Sequence, residues 1–219
     1  EGAKLINEIQ GTWYKIHSVY STESAKGFLS EAITANLEII DENSLRQISA
    51  LETPPGTLAV VEIPDFRLDD QVFEHSWLLA IDGIQNPGNL GTIIRTADWF
   101  GIDNLICSPE TVDAYNPKVV QGSMGSIFHI NLYYEELDKA FRDAPHHIYS
   151  LETTGTNLHR KKKKKPGVLV VGHETKGISS AIRSQIDEAL QIPRYGRAES
   201  LNAGVACAIA LDQIRAKEE

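Results

Sequence analysis

Three short stretches hold residue types that could do chemistry. The first is "NPGNLGTIIRTADWFG", residues 86–101. Pro87, Gly88 and Gly91 read as a tight turn, with Asn89 as the N-cap of a helix over 89–100 and Gly101 just past its end. The free N–H groups and positive dipole end of such a helix make an anion site. Arg95 falls opposite the apolar face of Ile93, Ala97 and Phe100, which leaves its guanidinium free for a phosphate. The loop matches neither G-x-G-x-x-G nor G-x-x-x-x-G-K-[ST], which disfavours dinucleotide and P-loop chemistry. An ordinary turn with a surface Arg fits the same residues.

The second stretch is "VVGHETKGIS", 170–179, where a buried strand ends at Gly172 and Glu174 sits in the turn that follows. Ligands of open α/β sheets bind beyond the carboxyl ends of the strands. Alternatively, Glu174 caps a helix beginning near Ser179, or is simply solvated. The third stretch is "IPRYGRAESLNAGVACAIAL", 192–211. A strand end meets a Gly loop with Arg194 and Arg197, and Ser200 reads as the N-cap of a nearly all-apolar helix. Such a helix must be buried, in the core or against a partner. The seven His show no metal-ligand spacing.

The elements that must position these residues follow from periodicity. "WLLAI" (77–81), "NLICS" (104–108), "HINLYY" (129–134), "HIYSLE" (147–152), "GVLVVG" (167–172) and "EALQIP" (188–193) read as strands. Helical patterns separate several of them, at 89–100, after Asn116, over "EELDKAFRDA" and in the C-terminal segment. This alternation predicts a parallel sheet with helices on both faces. Upstream, "EGAKLINEIQ" is helical with Leu5, Ile6 and Ile9 near one face, "GTWYKIHSVYST" is strand-like, and "SEAITANLEII" and "NSLRQISAL" are short helical patterns. A Pro-Pro-Gly turn then leads into a strand at 57–63, and the polar, acidic stretch 64–76 reads as a linker.

Composition bounds the function. The 219 residues suffice for one large or two small domains, and 42% hydrophobic with 23% charged residues is ordinary for a globular protein. Cys107 and Cys207 are the only cysteines, which predicts no disulfide framework and a cytoplasmic location. No membrane-spanning run or signal-peptide pattern is present, and the start at Glu1 rather than Met implies residues upstream. Net charge is −9, unevenly spread. Residues 1–75 hold 5 Lys and Arg against 13 Asp and Glu, a balance of −8, while 76–219 hold 16 against 17. A polyanion should therefore be gripped by the second part, where Arg160–Lys165 forms one basic block. That block also reads as a solvated loop, the plainer of the two readings.

In this order and spacing the three stretches resemble the three motifs of the SpoU-type (TrmH-like) ribose methyltransferases of the SPOUT superfamily. Motif one, N-x-G-x-x-x-R, is Asn89, Gly91 and Arg95; motif two, G-x-E-x-x-G, is Gly172, Glu174 and Gly177. Motif three is Ile192 and Pro193, a Gly loop, then Ser200, Leu201 and Asn202. The match runs from about residue 77 to the end. More loosely, "EGAKLINEI" and "TPPGTLAVV" resemble the ribosomal-protein-like substrate-binding domain that often precedes this catalytic domain.

The resemblance implies an α/β chain in which residues 1–68 form a small ribosomal-protein-like RNA-binding domain, 69–76 a linker, and 77–219 a parallel-sheet catalytic domain with a C-terminal deep trefoil knot. It implies methyl transfer from S-adenosylmethionine, without a metal, to a ribose 2′-hydroxyl of RNA by a homodimer. Ribosomal RNA is favoured over transfer RNA because of the extra N-terminal domain; a non-catalytic RNA-binding or ribosome-assembly factor is the other alternative. Leu151, Gly172, Ile192 and Leu201 would hold the cofactor. Arg95 would be central to catalysis, with Asn89, Glu174, Ser200 and Asn202 around it, and Arg95, Arg194 and Arg197 would touch RNA. The family assigns this Arg as general base. A guanidinium stays protonated in proteins, so a clamp on the neighbouring phosphate and the developing alkoxide is physically preferable.

Overall fold

The computed structural model describes all residues except 74–76, 143–145, 161–164 and 217–219, together with the side chains of 70 and 71. The basic block therefore lies mostly outside the described residues. Contacts divide the chain into two units. One is Glu1–Asp65 with Met124–His129; the other is Phe66–Ser123 with Ile130–Glu219.

The first unit holds α1 (Ala3–Asn7), β1 (Lys15–Ser21), β2 (Leu37–Ile39), α2 (Glu42–Ile48) and β3 (Thr57–Glu62). Its sheet has the order β2-β1-β3, with β1 parallel to β2 and antiparallel to β3. The expected helix over "SEAITANLEII" is only a 3-10 segment, Glu31–Asn36, after which Leu37 enters the sheet beside Val19. Pairing with β1 there outweighs a weak local helical preference. The core comprises Leu5, Ile6, Ile9, Val19, Ile33, Leu45 and Leu58, so the expected apolar face of α1 is the buried one.

The second unit is an all-parallel seven-stranded sheet. Its strands are β4 (Leu78–Asp82), β5 (Asn104–Cys107), β6 (Asn131–Tyr134), β7 (His147–Glu152), β8 (Thr156–Asn157), β9 (Gly167–Gly172) and β10 (Glu188–Gln191). Their spatial order is β6-β5-β4-β9-β7-β10-β8. Every residue of β4 is buried, as a strand covered on both faces must be. The helices are α3 (Pro87–Trp99), α4 (Pro117–Ser123), α5 (Leu137–Ala140) and α6 (Ala203–Arg215). The helix expected over "EELDKAFRDA" is thus a single turn among the described residues. The stretch expected to be a linker is not a free tether: Phe66, Leu68 and Val72 pack against this unit's core, and Phe73 is buried in it. Among the described residues no helix is long and apolar enough to cross a membrane.

Two helix starts differ from expectation. α3 begins three residues early, because Asn86 rather than Asn89 caps it: the Asn86 Oδ1 accepts from the N–H groups of Gly88 at 2.8 Å and Asn89 at 3.2 Å. Pro87 suits the first helical position, which needs no N–H partner. The Pro87–Gly91 segment is accordingly helix, not a tight turn. Gly91 is required by packing: a Cβ there would lie 2.9 Å from the Val119 carbonyl oxygen and 3.0 Å from Gly122 backbone atoms of α4. α6 begins two residues late, capped by Asn202 rather than Ser200.

Both cysteines are fully buried and free, and burial pushes each thiol up to about 12. Between pH 9 and 12 the unfolded chain loses these thiol protons while the folded chain keeps them. The unfolded state then binds fewer protons, so stability should fall as pH rises through this window. Denaturant unfolding of a Cys207→Ala variant beside the wild type between pH 8.5 and 11 checks this; the variant's slope should be shallower. The same slope in both chains would contradict it.

Candidate functional site

The sheet order places a topological switch point between β4 and β9. From β4 the chain crosses through α3 to β5 on one side, while β9 and β7 lie on the other. Loops leaving the carboxyl ends of strands diverge there and open a crevice. The loop after β4 leads into Asn89, and the turn after β9 carries Glu174.

The two meet directly. The Asn89 Nδ2 donates to the Glu174 Oε1 at 2.6 Å, across 85 residues of sequence. The Asn202 Nδ2 donates to the Asn89 Oδ1 at 2.7 Å. The Asn202 Oδ1 accepts from the N–H groups of Gly204 at 3.0 Å and Val205 at 3.3 Å. This relay has one direction. A carboxylate only accepts, so Asn89 must turn its NH₂ toward Glu174 and its oxygen toward Asn202. Asn202 then has its own oxygen left for the end of α6, whose first N–H groups need an acceptor. Ser200 could cap a helix but has no amide with which to reach Asn89, which is why the cap falls at 202. The expected helix near Ser179 does not form, so Glu174 caps nothing. Its side chain is 25% exposed and faces Asn89.

The turn bearing Glu174 is tightly built. His173 and Gly177 exchange backbone hydrogen bonds of 3.1 and 2.9 Å, and Gly177 takes φ 67°, a value that favours glycine. The His173 Nδ1 accepts from the Thr175 N–H at 3.1 Å. Gly172 lies against the returning chain: a Cβ on it would sit 2.6 Å from the Gly177 carbonyl carbon.

The other expected residues divide into two groups. Leu151 is the last residue but one of β7, opposite Val171 of β9 and Leu190 of β10, and Ile192 follows β10. Leu151, Gly172 and Ile192 therefore gather at the carboxyl ends of three adjacent strands, all partly exposed. Leu201 is 48% exposed, and neither it nor Ser200 has a hydrogen bond among the described residues that brings it into this group. Arg95 lies on the solvent face of α3, with no hydrogen-bond or ion-pair partner among the described residues. Arg194 makes one marginal contact, to the Ala198 carbonyl at 3.5 Å, and Arg197 is exposed. The described residues contain no His, Cys, Asp and Glu cluster able to hold a metal ion. Sequence reasoning missed two residues: Asn86, whose Asn-Pro context marks a helix start, and Asp82, the buried carboxylate that ends β4.

These features define an open parallel α/β domain with a polar relay and three strand ends gathered at its switch point. The model of the SpoU rRNA Methylase family matches residues 76–212. The chain belongs to that family. It is 32% identical over 188 residues to the 23S rRNA (guanosine(2553)-2′-O)-methyltransferase RlmP of Bacillus subtilis, covering 81% of this chain and 71% of that protein. It is 36% identical over 179 residues to the 23S rRNA (uridine(2479)-2′-O)-methyltransferase of Streptomyces viridochromogenes, covering 75% of this chain and 61% of that protein. The crystal structure of the SpoU methyltransferase AviRb from Streptomyces viridochromogenes, in complex with the cofactor AdoMet, superposes with a TM-score of 0.83 at 25% identity; the match covers 99% of this chain and 88% of that one.

Proposed function

We propose that the chain transfers the methyl group of S-adenosylmethionine to a ribose 2′-hydroxyl of RNA, in ribosomal RNA. Family membership supports the reaction class, and the relay Glu174–Asn89–Asn202 carries it to these residues, because it joins all three motifs at the switch point. Leu151, Gly172, Ile192 and Leu201 would hold the cofactor. An apolar slot with a few fixed backbone groups suits adenine. When bound, the cofactor supplies an electrophilic methyl on a sulfonium. The chain must orient the ribose hydroxyl and stabilise its developing charge. Arg95 fits that task, with a guanidinium that has no partner among the described residues and is carried on the solvent face of α3, and Arg194 and Arg197 would add phosphate contacts. Asn89, Glu174 and Asn202 are positioning residues in this scheme, and Ser200 lies beside them on the loop.

Three finer features belong to the same proposal. The knot is supported by β9 lying between β4 and β7, and by α6 returning onto α3, where a Cβ on Gly204 would come within 2.8 Å of Thr92. The homodimer is supported by apolar side chains left open on those two helices and beside them: Trp99 is 84% exposed, Leu201 48% and Val205 47%. A second copy of this surface would cover them. The first unit would serve as the RNA platform and the second, beginning at Phe66, as the catalytic domain. Cytoplasmic location goes with the substrate.

Mapping 2′-O-methyl sites in total RNA from cells with and without the gene tests the reading. One ribosomal position should lose its methyl group. A loss confined to transfer RNA would move the substrate there. No lost site, together with no S-adenosylmethionine binding by calorimetry, would make the chain a non-catalytic RNA-binding factor.

A further inference from the structure

Asp82 ends β4 and is 6% exposed. A carboxylate so far from water is costly unless hydrogen bonds replace its hydration. The Asp82 Oδ2 accepts from the Ser179 N–H at 2.6 Å, across 97 residues of sequence. No cation pairs with it among the described residues. The donor of this bond closes the segment that carries Glu174: Gly172, opposite Asp82 in the sheet, opens the segment, and Ser179 ends it. Between them the His173–Gly177 bridge closes the turn, and Ile178 is buried at 4%. The Arg183 Nη2 donates to the Ile178 carbonyl at 3.1 Å and its Nη1 to Glu152 at 2.6 Å. The segment is thus tied to the sheet at its start by strand pairing, and at its end by the Asp82 carboxylate and through Arg183 to Glu152.

We infer that Asp82 is a positioning residue of the methyl-transfer site: it fixes the Gly172–Ser179 turn so that Glu174 reaches Asn89. This rests on the proposed function for its effect on rate, but not for its effect on the turn. The same strand runs from Asp82 through Gly83 into α3, so one residue couples the geometry of the first motif to that of the second. The Gly83 N–H is itself held by the Ser108 hydroxyl at 3.0 Å and the Thr111 hydroxyl at 3.2 Å, which keeps the end of β4 rigid on the other side.

The test compares full-length wild type, Asp82→Ala and Asp82→Asn, each alone and combined with Glu174→Ala. Asp82→Ala should lower kcat by about 10- to 100-fold, the scale of an ångström of misplacement, with KM for RNA within about twofold. Asp82→Asn keeps an acceptor and should restore most of the rate. Because Asp82 acts through the Glu174 turn, Asp82→Ala should cost less than about twofold in the Glu174→Ala background. Amide hydrogen exchange should show Ser179 losing protection in Asp82→Ala and keeping it in Asp82→Asn. Equal losses of rate in both backgrounds, or a lowered Tm with kcat and Ser179 protection unchanged, would overturn the inference. Wild-type protein that transfers no methyl group would overturn the proposed function instead, and the exchange measurement would still decide the role of Asp82.

Discussion

Replacing Arg95 with alanine should lower the rate of methyl transfer by about 10²- to 10³-fold, the scale of one lost preorganised donor, and leave S-adenosylmethionine affinity unchanged. The side chain stands on the solvent face of α3, six residues beyond Asn89, or about 9 Å along the axis at 1.5 Å per residue. The gathered strand ends of β7, β9 and β10 belong to other elements, so truncation at 95 removes nothing from them. Among the described residues the guanidinium has no hydrogen-bond or ion-pair partner. It can therefore neutralise a phosphate and a developing alkoxide without first breaking a salt bridge. Calorimetry with the cofactor and single-turnover kinetics with RNA separate the two effects. An equal loss of cofactor binding would make Arg95 part of the cofactor site. Arg95→Lys adds a second reading: if the basic limb of the pH–rate profile vanished while RNA affinity held, Arg95 would be the proton acceptor and not a clamp.

Gly172→Ala is expected to weaken S-adenosylmethionine binding by at least tenfold and methyl transfer by about 10²-fold. The added methyl would lie 2.6 Å from the Gly177 carbonyl carbon, 2.7 Å from its oxygen and 2.8 Å from the Ile178 nitrogen. All three are backbone atoms, so no side chain can swing aside to make room. The turn must open, which breaks the His173–Gly177 bridge and draws Glu174 away from Asn89. Overpacking of this kind costs about 1–3 kcal/mol of stability. Gly177→Ala is the informative contrast. Its φ of 67° strains any other residue, but a Cβ there meets nothing within 4 Å. It should lose about 1 kcal/mol of stability and far less cofactor affinity. Thermal unfolding and calorimetry on both variants check the pair. Equal cofactor affinity in the two would mean that the close approach at Gly172 does not shape the site.

Much of this was legible in the sequence because local physics decided it. Continuous apolar runs such as "GVLVVG" can only be buried strands, and their alternation with helical stretches required a parallel sheet. Asn89, Arg95, Glu174 and Asn202 stood out as a set only through the resemblance of their three stretches to the SpoU motifs, because each stretch alone also read as an ordinary turn, a cap or a solvated side chain. Helix starts were harder, because Asn86, Asn89, Ser200 and Asn202 are all competent caps. Which of them caps depends on what else each side chain must reach. Asn202 caps α6 and Asn89 does not cap α3 because the two amides are committed to each other and to Glu174. That choice spans 113 residues of sequence and is invisible to any local window.

Tertiary structure alone decided the strand order, and with it the switch point that brings the loops after β4 and β9 together. It also decided how the site is supported. Asp82 reads in sequence as an ordinary acidic residue before a glycine, yet the sheet buries it and hands it the Ser179 N–H. The sequence by itself determined which groups could accept, donate or carry charge. The fold determined which of them lost their water, and a polar group that has lost its water must find a partner in the protein.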